Sequence, residues 1–224
     1  DVGTYRAAYK AGRWYALAGE GGLLMCTWPR GEAKRVKESF DFYFNECMTG
    51  FEYQAAWHMI AEGMLVEGFA ITRMIHDRYR STRRNPWNEI ECGDHYARAM
   101  ASYGVFLAAC GFEYHGPKGR LGFAPRLTPA NFQAAFTTAE GWGTYSQQSQ
   151  VSDFKSQIVV RWGRLRLRTL LLTPHPNFLP AKARVSAAAK PAPATVAMRA
   201  GKAEIQLESE ALLTAGETLE VELS

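Results

Sequence analysis

Three stretches of the chain gather carboxylates, amides and a guanidinium among aromatic rings. The first is Asn45-Glu46-Cys47-Met48-Thr49-Gly50-Phe51-Glu52-Tyr53-Gln54. The second is Asn85-Pro86-Trp87-Asn88-Glu89-Ile90-Glu91-Cys92-Gly93-Asp94-His95-Tyr96-Ala97-Arg98, and the third is Thr138-Ala139-Glu140-Gly141-Trp142-Gly143. A carboxylate accepts from two hydroxyls at once, and a guanidinium donates to two acceptors. An aromatic ring adds a flat apolar platform for the C–H face of a pyranose. Together these groups can grip a polyol. The first two stretches precede or open helical patterns, where free N–H groups and the positive dipole end lie. Glu52, Gln54, Glu89 and Arg98 are therefore predicted to reach one mouth, with Trp142 as a further contact. Plainer roles compete. Asp94 and Arg98 have the i,i+4 spacing of a helical ion pair. Glu89 and Glu91 could simply favour a helix N-terminus. Glu91 and His95 share a face as two metal ligands would, but no third is placed beside them, so no metal site is expected. His58 and His76 fall inside a helical pattern. No Ser/His/Asp signature or phosphate-binding glycine loop occurs, and nothing calls for a cofactor.

The elements that must position these residues follow from periodicity. Residues 13–28 predict a β-hairpin around Gly19-Glu20-Gly21-Gly22, and residues 33–44 a short helix. A long helix is predicted over residues 51–79, with Trp57, Ile60, Met64, Gly68, Ile71 and Ile75 on one stripe. Further apolar residues around it predict a helix buried on most sides. Gly63 and Gly68 predict close approach of a neighbouring helix. A second helix is predicted over residues 93–111, with Tyr96, Met100, Tyr103 and Leu107 on its stripe and Gly111 as its cap. Residues 112–150 read as loop-rich, with short strands near Phe136 and Thr144. From Phe154 to Thr173 the period becomes two, and Arg164-Leu165-Arg166-Leu167-Arg168 predicts a half-buried strand with a solvated arginine face. The Ala-, Pro- and Lys-rich residues 179–194 predict a linker or long loop. Strands are expected at 195–198, 203–207 and 218–223, with turns at Gly201 and Gly216.

Composition sets limits on class. The 224 residues are 47% hydrophobic and 21% charged, ordinary for a globular protein. A net charge of +4 is a weak case for nucleic acid, and no partner of that kind is expected. No run approaches the ~18 uninterrupted apolar residues of a transmembrane segment. Cys26, Cys47, Cys92 and Cys110 lack metal spacing and are expected as buried free thiols. Residues 1–13 read as mid-protein text, which predicts a segment of a longer polypeptide.

The polar stretches resemble glycoside hydrolase family 116, the bile-acid β-glucosidases and non-lysosomal glucosylceramidases. The densest match runs from Asn85 to Gly104, and 45–54 and 126–147 agree as well. The resemblance covers roughly residues 1–173 and stops before the tail. It implies a retaining mechanism on β-linked glucosides or glucosylated lipids. It also implies a mainly α fold: the C-terminal part of an (α/α)6 barrel with β-hairpin insertions and a short β-rich tail. The corresponding division is a partial barrel over 1–150, its strand continuation over 151–178, and a linker and tail over 179–224. In the family a Glu and an Arg of this motif hold hydroxyls of the terminal sugar, and by position these are Glu89 and Arg98. Glu52 and Trp142 are added from local composition. The nucleophile and acid/base are expected upstream, on the same polypeptide. The rival readings are a non-catalytic carbohydrate-binding domain and a structural helical domain.

Overall fold

The computed structural model of the chain describes residues 16–17, 19–26, 46–84, 86–87 and 98–224, with Arg98 and Ala99 as backbone only. It divides into two compact units, Asp1–Ala108 and Ala109–Ser224. No helix among the described residues is long and apolar enough to cross a membrane.

In the first unit the predicted long helix is two helices, α1 (Thr49–Ala61) and α2 (Leu65–Arg78). The break is Gly63, at φ 88°. Its N–H donates to the Ile60 carbonyl at 3.1 Å, and Met64 N–H reaches back to the Met59 carbonyl at 2.8 Å. A left-handed residue there closes α1 and frees the chain to turn. No atom would lie within 4 Å of a Cβ on Gly63, so its role is conformational and not the predicted close approach. Gly68 does meet that expectation: a Cβ there would lie 2.6 Å from Ile60 Cγ1 and 2.8 Å from the Ala56 carbonyl oxygen. Gly63→Ala is expected to cost about 1–2 kcal/mol, the strain of an L side chain in left-handed backbone. Thermal unfolding checks this, and an unchanged Tm would contradict it.

Ala56, Ile60, Ile71, Ile75 and Val105 form the core of this unit. Four of the six predicted stripe residues, Ile60, Gly68, Ile71 and Ile75, are buried. Trp57 and Met64 are exposed, as is Val66 at 81%, so the helices are not buried on most sides. The turn at Gly63 resets the angular phase, and residues before and after it no longer share one face. The next helix, α3 (Ser102–Cys110), is entered through a 3-10 turn at Arg98–Ala101. It is buried through Val105 and Cys110, whereas Met100 of the predicted stripe is exposed. The predicted helix at 33–44 and residues 88–97 lie outside the described residues. Residues 19–26 form no strand, so the described part of the predicted hairpin is a loop, with Met25 N–H donating to the Glu46 carbonyl at 3.0 Å.

The second unit is a β-structure of ten strands. Its axis is β5 (Phe154–Leu172), which serves two sheets. The first half of β5 pairs antiparallel with β4 (Gly141–Ser149) and β10 (Thr218–Leu223). On that sheet β3 (Asn131–Thr137) lies outside β4. Beyond β10 come β6 (Ala183–Ala187) and β7 (Lys190–Pro191). The second half of β5 pairs antiparallel with β9 (Lys202–Thr214) and parallel with β2 (Arg120–Phe123). There β1 (Glu113–His115) and β8 (Ala194–Arg199) are the outer strands. The change of sheet falls at Gly163, at φ 72°, where a Cβ would lie 2.1 Å from the Glu140 carbonyl oxygen. Leu165, Leu167, Leu170 and Leu172 are buried, each worth about 1.5–3 kcal/mol. Between the sheets Phe123 of β2 stacks on Tyr145 of β4 at 3.8 Å, with the rings 1° from parallel. The arginine face of β5 is solvated as predicted: Arg164 and Arg166 pair with Glu140, and Arg168 with Glu210.

The described chain is therefore mostly β, and the expected mainly α fold and (α/α)6 barrel are overturned. The misreading has a local cause. Residues 112–150 hold four strands, of which β3 and β4 are the short strands predicted near Phe136 and Thr144 in longer form, while β1 and β2 are hidden behind Gly and Pro turn signals. The Ala- and Pro-rich residues 179–194 likewise contain β6 and β7 where a linker is predicted. The tail strand β10 is no appendage, because it lies between β5 and β6. Gly111, at φ 55°, closes α3 as expected, and Ala124 N–H donates to the carbonyls of both Cys110 and Gly111 at 3.1 Å. Cys47 and Cys110 are buried free thiols and Cys26 is half-buried. Burial alone pushes the Cys110 thiol up to about 11.

Candidate functional site

Glu89 lies outside the described residues, as do Glu91, Asp94 and His95. Arg98 is the first residue of the 3-10 turn that leads into α3.

Glu52 is in the first turn of α1 and Gln54 two residues on. Successive helical positions turn by about 100°, so the two side chains point apart: Glu52 is buried and Gln54 exposed. They do not share a mouth. The Glu52 carboxylate faces Arg78, from the last turn of α2, and both side chains are 1% exposed. Arg78 Nη1 donates to Glu52 Oε1 at 3.0 Å, and Nη2 pairs with Oε2. Leu23 N–H donates to Glu52 Oε1 at 2.7 Å, and Arg78 Nη1 to the Gly21 carbonyl at 2.9 Å. Gly22 fits between them, since a Cβ would come within 2.6 Å of Arg78 Nη1 and 2.7 Å of both Cys47 Sγ and Glu52 Oε1. Burial lowers the Arg78 pKa, but the Glu52 carboxylate outweighs it and holds the guanidinium above its ordinary value. A second clamp lies beside it. Glu20 accepts from Leu17 N–H at 2.8 Å and from Arg84 Nη2 at 2.5 and 2.7 Å, with Arg83 at 3.3 Å. Two carboxylates held by guanidinium groups thus strap Leu17 and residues 20–23 onto α1, α2 and the turn after α2. This arrangement fixes backbone.

Retaining glycoside hydrolysis needs one carboxyl held protonated as acid and a second held as nucleophile. The described carboxyls whose titration is shifted all move down, away from what the acid role needs. Burial raises Glu20, but bonds from Leu17 N–H and Arg84 bring it below its ordinary value. Asp77 is lowered to about 2 by hydrogen bonds from Arg73 and Arg80. Glu140 is lowered by Arg164, and Glu217 by the Thr214 N–H. Among the described residues no three His, Cys, Asp or Glu gather as a metal site would require.

Trp142 opens β4, one residue past the β3–β4 turn, which Thr138 N–H closes onto the Gly141 carbonyl at 2.8 Å. Its cross-strand partner is Trp162 of β5, and the rings are 48% and 62% exposed. A β-bulge between Trp142 and Gly143 shifts the register, so that β5 has an extra residue at Arg161 and Trp162 falls on the Trp142 face. Trp162 escapes a reading of local composition. The available signal is its following Gly163, which echoes Gly141-Trp142-Gly143 on the partner strand.

No family model matches the chain, and no curated protein does. Among solved structures it is similar to a GH127 β-L-arabinofuranosidase, Ara127N-Se from Geobacillus stearothermophilus T6. The identity is 11% and the TM-score 0.33, over 57% of this chain and 18% of that one. It is also similar to an α-L-rhamnosidase from Dictyoglumus thermophilum, at 11% identity and a TM-score of 0.32, over 58% of this chain and 14% of that one. The chain spans under a fifth of the length of either. Likenesses at these scores set neither fold nor activity for it.

Proposed function

We propose that this chain is the sugar-binding section of a retaining β-glycosidase, β-glucosidase- or glucosylceramidase-like. The observation that carries the reading is the run from Asn85 to Gly104, which resembles the sugar-gripping motif of glycoside hydrolase family 116 nearly without interruption. In this reading Glu89 and Arg98 hold hydroxyls of the terminal glucose. Glu52 is a positioning residue: it anchors residues 21–23 through Arg78 and does not reach out to sugar. Trp142 offers a ring face to sugar from the surface of the second unit.

The nucleophile and acid/base are assigned to other parts of the same polypeptide. The support is chemical: arginines engage Glu20 and Glu140 and hold both below the ordinary carboxylate range, the opposite of what a general acid requires. The substrate class is a β-glucoside or a glucosylated lipid. The test is turnover of 4-nitrophenyl β-D-glucoside, by this chain alone with circular dichroism confirming that it is folded, and by the full-length polypeptide. The expected result is no turnover by the folded chain, and hydrolysis with retained anomeric configuration by the full-length protein. Turnover by the chain alone would overturn the placing of the catalytic carboxylates. An inactive or inverting full-length protein would overturn the reading itself.

A further inference from the structure

The outer face of the sheet formed by β3, β4, β5, β10 and β6 has a chemistry that neither the core nor the motif requires. Its register sets side chains in rows across the strands. Ser146 of β4 lies opposite Gln157 of β5, which lies opposite Glu220 of β10, which lies opposite Ser186 of β6. The next row is Gln148, Lys155, Glu222 and Arg184. These residues line a depression of about 470 Å³. That volume is within the range of small-ligand sites, about 300–1,000 Å³.

The rows carry as many carboxylates as cations, Glu220 and Glu222 against Lys155 and Arg184. A phosphate or nucleic-acid partner selects a positive surface, and this one is balanced. A protein interface has an apolar, charge-depleted centre, and this centre is polar and charged. What remains is a neutral ligand with both donors and acceptors. The side chains are also loosely committed. Gln157 and Ser186 donate to Glu220 at 3.3 and 3.4 Å, while Lys155 and Arg184 stand 3.5 and 3.6 Å from Glu222. Among the described residues the side chains of Asn131, Ser146 and Gln148 have no protein partner. Further along the same face of β4, four residues or about 14 Å from Ser146, stand Trp142 and, across from it, Trp162. Exposed rings on the same sheet face as a polar depression suit a chain of pyranoses, each with apolar C–H faces and a hydroxyl rim.

We propose that this sheet face is a second carbohydrate-binding surface, taking a neutral glucan lengthwise along β4 and β5, with the Trp142–Trp162 pair as its platform and Gln148, Gln157 and Glu220 as hydroxyl partners. The choice of glucose rests on the β-glucosidase reading above, with which this surface shares only Trp142. It is tested by calorimetry of the whole chain with cellohexaose, laminarihexaose and maltohexaose. Saturable binding to at least one is expected. Trp162→Ala and the double substitution Gln157→Ala/Glu220→Ala should each weaken it at least tenfold, with circular dichroism unchanged. No binding of any of the three by the folded chain would overturn the inference. Binding that neither variant weakens would also overturn it. Such binding would place the sugar elsewhere and leave the roles of Glu89 and Arg98 standing.

Discussion

Arg78→Met is expected to destabilise the first unit by about 3–5 kcal/mol, because it leaves the Glu52 carboxylate buried without its cation. The buried pair is where one substitution should do most harm. Arg78 ties Glu52 and the Gly21 carbonyl together, so its loss also frees residues 21–23 from α1 and α2. The size of the effect comes from desolvation. An unpaired charge in a site 1% exposed cannot recover its hydration without opening the structure. Hydrogen exchange of the amides in residues 49–78 measures it locally and avoids treating two units as a single transition. The double substitution Glu52→Leu/Arg78→Met should recover most of the loss, since replacing both charges by apolar groups removes the desolvation penalty along with the attraction. A loss below about 1 kcal/mol in the single variant would show that the pair is hydrated and would return Glu52 to the list of groups able to bind sugar.

Arg98→Ala and Glu89→Ala are each expected to lower kcat/KM for aryl β-glucosides at least tenfold in the full-length polypeptide, about 1.4 kcal/mol of transition-state binding. A guanidinium on two hydroxyls gives bidentate, charge-assisted bonds, so its removal should be felt more than loss of a neutral contact. Stability should be little changed in both. Wild-type kinetics in both variants would sink the assignment. A fall in stability matching the fall in activity would point instead to the helical ion pair of Asp94 with Arg98. Glu52→Gln should behave in the contrary way to Glu89→Ala, costing stability first, because its carboxylate is inside the fold.

Much of the local structure was legible from spacing. The alternation Arg164-Leu165-Arg166-Leu167 places leucines inside and arginines outside, and only a strand's period of two does that. Gly111 was legible as a cap because few other residues accept its backbone. Gly68 was legible as a helix–helix approach, and Ile60, Ile71 and Ile75 as core. Gly63 was not: its role depends on a positive φ that periodicity cannot show. Trp142 was singled out from local composition, while its partner Trp162 became visible only through strand pairing and a bulge.

The sequence by itself determined the periods, the turns at Gly201 and Gly216, the solvated arginine face and the polar motif that carries the functional reading. The tertiary structure decided the fold class and the fate of each charge. Strand pairing brings together residues far apart in the chain, such as Ser156 with Val221 and Leu170 with Ile205, and local composition holds no record of it. The same is true of Glu52. Its surroundings in sequence suit a sugar contact, but whether a carboxylate meets water, a hydroxyl or a buried arginine is settled by what packs against it, here a residue twenty-six positions away. Dispersion, desolvation and long-range hydrogen bonds act between neighbours in space, so the sequence names the groups and the fold assigns their partners.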